Sequence, residues 1–99
     1  MAEKIEMFHS RMLEQIEPRH SAKELVEKIV KSALEVEYGA SFTLSSGFVK
    51  MVSKISDVVV ANPELRRQAL SVASIYIDKK MEEVRIRKAS ANSINKKET

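Results

Sequence analysis

Cysteine is absent from these 99 residues. No disulfide can staple the chain, no thiolate can hold a metal, and thiol redox or nucleophilic chemistry is excluded. With only two glycines, isolated from each other at Gly39 and Gly47, a glycine-rich phosphate loop cannot be built. No segment approaches the ~18 consecutive apolar residues of a membrane-spanning helix. The N-terminus carries Glu3, Lys4 and Glu6 with no apolar run behind them, which is not the pattern of a secretory signal. A soluble, cytoplasmic protein is the expectation.

Aromatic residues are few, with three Phe, two Tyr and no Trp, and proline occurs twice. What fills the chain instead is Ala, Leu, Ile, Val, Met, Glu and Lys, a helix-forming mixture. Lys and Arg number 17 against 14 Asp and Glu, for a net charge of +3. The two signs alternate as on an ordinary solvated helix surface. The exception is the C-terminal end, where Arg85, Arg87, Lys88, Lys96 and Lys97 occur without an acid between them, so a local positive field exists there.

The chain is organised around one long helix predicted over 62–88. Asn62 is placed to cap it and Pro63 occupies the first helical position, where a missing N–H costs nothing. At about 100° per residue, Leu65, Ala69, Leu70, Ala73, Tyr76, Ile77, Met81 and Val84 fall on one broad side, which predicts burial along most of the helix. Val72, Ile75 and Ile86 fall on a second, narrower flank, where a monomeric bundle would carry charge.

Three shorter helices are predicted upstream. The first covers 2–16, with Ile5, Phe8, Met12 and Ile16 on one face, and Pro18 stops it. Ser21 followed by Glu24 forms a capping box that opens the second helix, whose apolar face is Leu25, Val26, Ile29, Val30, Ala33 and Val36. Glu27, Lys28, Lys31 and Glu35 should face water. Gly39 closes it as a left-handed cap. Residues 40–46 read as a loop that tucks Phe42 and Leu44 inward. The third helix is expected over 46–61, with Phe48, Met51, Val52, Ile55, Val58 and Val59 inward. The prediction is an all-α, four-helix bundle-like domain over 1–88, with a disordered polar and basic tail over 89–99.

Chemistry-bearing constellations are scarce. Glu6 with His9 and Glu17 with His20 have the Glu-x-x-His spacing of di-iron bundles, but Pro18 interrupts the second pair and the third helix has no Glu. They read as surface and junction histidines, and no metal or cofactor is expected. No carboxylate pair suits acid–base work, and two histidines without a strained turn do not make a serine triad. The chain is expected not to be an enzyme.

Two binding readings remain. Apolar residues off the main stripes (Met7, Val49, Val60, Val72, Ile75 and Ile86) point to a homodimer or another helical partner, with Val72, Ile75 and Ile86 as the interface. The alternative is a small nucleic-acid-associated protein. It would use Arg85, Arg87 and Lys88 on phosphates, or a helix-turn-helix-like third helix presenting Gly47, Lys50, Ser53 and Lys54. Arg66, projecting near the apolar side of the long helix, is expected to lay its stem over the core edge.

Overall fold

The computed structural model of the protein describes residues 2–98, with side chains through Lys88. Four α-helices follow one another: α1 Ala2–Gln15, α2 Ala22–Tyr38, α3 Phe48–Ala61 and α4 Pro63–Glu98, with a short 3-10 helix Ala40–Leu44 between α2 and α3. The described residues contain no strand, so the fold is all-α. The polar and basic tail expected over 89–99 lies outside the fully described residues.

Local chemistry marks the helix ends. Ser21 Oγ accepts the Glu24 N–H at 3.2 Å, and a Glu24 carboxylate oxygen accepts the Ser21 N–H at 3.1 Å. Those bonds hold the Glu24 carboxyl below its ordinary pKa, the backbone bond to Ser21 being the larger cause. Asn62 Oδ1 accepts the N–H groups of Glu64 and Leu65 at 3.0 and 3.1 Å. This satisfies two donors that the first turn of α4 would otherwise leave open.

Gly39 does close α2, yet in a different conformation from the expected left-handed cap. Its φ of 94° is paired with ψ of 161°, an extended mirror-image region open essentially to glycine. That geometry directs the chain into the 3-10 turn instead of a loop. Phe42 there stacks between Tyr38 and Phe48, with ring centroids 5.0 and 5.6 Å away. Leu44, expected to point inward, is 86% exposed, while Phe42 in the same turn is half-buried. Gly47, at φ 83°, then caps α3, which begins at Phe48 and not at residue 46.

The central core joins α1, α2 and α4 through Met12, Ile16, Leu25, Ala73 and Tyr76, with Phe8, Leu13, Ile29, Leu70 and Ile77 around it. Phe8 meets the Tyr76 ring edge-on at 6.1 Å, a favoured aromatic geometry. Val26 of α2 and Phe48 and Val52 of α3 are also buried, as are two polar side chains, Ser32 and Ser56. Glu35, expected to face water, instead joins α2 to α1 by an ion pair with Arg11 at 3.1 Å.

Two predicted faces are corrected. In α3, Met51, Ile55 and Val58 are exposed while Ser56 is fully buried, so the helix is rotated about its axis relative to the sequence expectation. Apolar residues occupy an arc of about 200° around α3, wider than its packing against α2 and α4 can cover. In α4, Ala73 and Tyr76 are buried, but Leu65, Met81 and Val84 are exposed. For Met81 and Val84 the cause is length. α1 and α3 have 14 residues each and α2 has 17, against 36 for α4. At 1.5 Å per residue these are about 21–25 Å against about 54 Å. Every residue over 81–88 is exposed, with no shorter helix alongside.

Candidate interaction surface

The surface is built on α4, which packs on the core through Leu70, Ala73, Tyr76 and Ile77 and is tied to the rest of the fold at two further places. Its N-terminus leaves α3 through the single residue Asn62. Near its middle, Lys80 Nζ donates to the carbonyl of Ile16 at 2.9 Å, in a partly buried bond. That carbonyl lies past the end of α1, where a backbone acceptor has no helical partner, and the Lys80 ammonium satisfies it. Tyr76 is buried between these supports, and burial pushes its phenol up from the ordinary value. Lys79 Nζ lies 5.9 Å from the centre of the Tyr76 ring.

On the side turned from the core, Val72, Ile75 and Ile86 are 37%, 55% and 56% exposed. α1 does not cover them. Leu65, assigned to the inner side by its position on the helix, is exposed beside them. Leu65, Val72, Lys79 and Ile86 recur every seven residues, with Gln68, Ile75 and Glu82 three positions after the first three. This is the spacing of a seam against another helix. All seven side chains are exposed. The seven-residue step that carries Leu65 onto the flank is visible in the sequence; an angular count alone, which puts Leu65 at the edge of the inner face, misses it.

The basic end is open as well. Arg85, Arg87 and Lys88 are exposed. Arg85 forms an ion pair with Glu82 one turn earlier, so its charge is partly neutralised within the helix. Arg87 and Lys88 pair with no carboxylate among the described residues.

α3 offers a second apolar stripe. Val49, Met51, Ile55 and Val58 are exposed beside Lys50 and Lys54, whereas Ser53 is half-buried. A base-reading helix needs polar groups that pair with base edges. Here the outward face is mostly aliphatic. Asp57 is engaged by Lys23 of α2 at 2.9 Å, and that bond raises the Lys23 pKa. Arg66 is exposed and lines a shallow hollow at the α3–α4 corner with Val60 and Leu70.

Glu17, Arg19 and His20 meet at the junction between α1 and α2. Glu17 donates its backbone N–H to His20 Nδ1 at 3.2 Å, tying off the junction before α2. The Glu17 carboxyl is held below its ordinary pKa, first by the hydrogen bond from Arg19 at 2.9 Å and then by that residue's charge. His9 lies against Tyr76, ring centroids 5.5 Å apart. Among the described residues no three His, Asp or Glu side chains converge as metal ligands, and no helix is long and apolar enough to cross a membrane. Neither a protein-family model, nor a curated protein, nor a solved structure matches the chain.

Proposed function

We propose that this protein is a non-catalytic protein-interaction or assembly module, cytoplasmic in setting, that self-associates through the Val72, Ile75 and Ile86 flank of α4. The observation that carries the reading is this flank itself, where exposed Leu65, Val72, Ile75 and Ile86 share one line of helix-seam spacing with Gln68, Lys79 and Glu82. Single exposed apolar residues are ordinary; a row along one line of a helix asks for a cover.

Among the described residues, eight buried hydrophobic ones stand against fourteen large ones left exposed, so the isolated chain keeps much of its apolar content in water.

Light scattering after size exclusion, at low and high salt, tests the reading. About twice 11.2 kDa is expected at both, since apolar burial resists screening. Ile75→Glu should reduce that mass to the monomer, and an unchanged dimer would show that the flank is not the interface. The exposed Arg87 and Lys88 favour a second reading, nucleic-acid association through the basic end. Its signature is a salt-sensitive shift of nucleic acid by a protein whose own mass does not depend on Ile75.

A further inference from the structure

We infer that the second copy lies antiparallel on α4, with the two-fold axis passing between Lys80 and Met81. This rests on the self-association proposed above and goes on to specify its orientation and register. Charge decides it. The seam is apolar at Val72, Ile75 and Ile86 and charged at Lys79 and Glu82, all exposed.

In a parallel pair each seam residue meets its own copy, so Lys79 faces the partner's Lys79 and Glu82 faces the partner's Glu82. Beside the seam, Asp78 would also approach the partner's Glu83. Every one of these is a like-charge contact in a closing interface. Turned antiparallel in the stated register, Ile75 meets the partner's Ile86 and Lys79 meets the partner's Glu82, each twice by symmetry. Along the edge, Asp78 comes opposite the partner's Arg85. Sliding the register by seven residues one way sets Lys79 on the partner's Ile75. The other way sets Glu82 on the partner's Ile86. One register alone matches apolar with apolar and acid with base.

The fold has room for it. Residues 81–88 extend beyond the shorter helices and are exposed throughout. In this register each such end lies along 73–80 of the other copy, a shared stretch of about 24 Å. Val72 sits at either end of that stretch. Glu82, now paired with Arg85 of its own chain, gains the partner's Lys79, while Arg85 gains the partner's Asp78.

The cysteine-free chain makes a clean cross-linking test. Ile75→Cys and Ile86→Cys variants are prepared separately, mixed, and oxidised. The mixture should yield a covalent dimer and neither variant alone should, because like positions lie about 16 Å apart along an antiparallel pair, beyond disulfide reach. Covalent dimers from each variant alone would overturn the antiparallel arrangement while leaving self-association intact. A monomeric wild-type mass would instead remove the reading on which it rests. As a second measurement, Lys79→Glu and Glu82→Lys should each weaken the dimer by about tenfold, through two lost pairs per dimer. The double variant should return to within about twofold of wild type. In a parallel dimer each single change swaps one like-charge contact for another, so unchanged single variants refute the inference.

Discussion

Ser32 and Ser56 are the two fully buried polar side chains among the described residues, one on α2 and one on α3. They differ in one respect. Ser32 Oγ accepts a hydrogen bond from Gln15 Nε2 at 3.3 Å, whereas Ser56 Oγ finds no partner among the described residues. Replacing each by alanine should therefore change stability in opposite directions. An unpaired buried hydroxyl costs about 1–3 kcal/mol, so Ser56→Ala should recover about 1–2 kcal/mol, plus about 0.5 kcal/mol of helix propensity. Ser32→Ala gains the same propensity but strands the Gln15 amide, whose Oε1 already lacks a partner. Losing that bond costs about 1–2 kcal/mol, for a net loss near 1 kcal/mol.

The two variants should thus lie about 2–4 kcal/mol apart, in a domain where each kcal/mol moves Tm by about 4–8 °C. The comparison is made by urea denaturation followed by circular dichroism. All proteins are held at one concentration, because self-association would add a concentration-dependent contribution to apparent stability. If Ser56→Ala proves no more stable than Ser32→Ala, the α3 hydroxyl is not stranded in the core and the rotation assigned to α3 is wrong.

Asn62→Ala should lower stability by about 1 kcal/mol and Asn62→Gly by only a few tenths, because glycine suits an N-cap better than alanine; equal losses in thermal melts would argue against the Oδ1 cap. Glu24 has a depressed folded pKa, so its stabilisation is complete above the ordinary value of 4.5 and is lost as pH falls through the lower folded value. The urea midpoint of wild type should therefore exceed that of Glu24→Gln at pH 7 and converge with it under acid, and a gap that stays constant down to pH 3 would contradict this. Replacing Arg87 and Lys88 with Gln should leave the apolar dimer in place while weakening any salt-sensitive nucleic-acid shift; a monomer from that variant would mean that charge, not the aliphatic flank, holds the copies together.

Features set by neighbouring residues were legible in the sequence. The Ser21–Glu24 box, the Asn62 cap and the stop before Pro18 each depend on side chains within a few positions of the groups they satisfy. Faces set by distant partners were less so. Around α3 the apolar arc is wider than the available contacts, and the sequence does not say which part of it α2 and α4 will cover. The Phe42 turn helps decide, by bringing Phe48 into the aromatic stack. On α4 the apolar pattern continues through Met81 and Val84 in the same phase as Tyr76, and only the finite length of the shorter helices leaves those residues outside. The flank of Val72, Ile75 and Ile86 was visible as an anomaly of pattern. That α1 leaves it uncovered was not.

The bond from Lys80 to the Ile16 carbonyl has a mechanical meaning. Ile77 is the last α4 residue packed against the core, and from there Ile86 stands at the end of an arm of about 14 Å. The Lys80 bond shortens the free length to about 9 Å, so a given tilt displaces Ile86 by about a third less. One ammonium, next to Lys79 in the chain but turned to the core side of the helix, thereby steadies the aim of the residues on the seam. Lys80→Met keeps the stem and removes only the anchor, so it should loosen the pairing of copies without altering a single side chain of the surface that pairs.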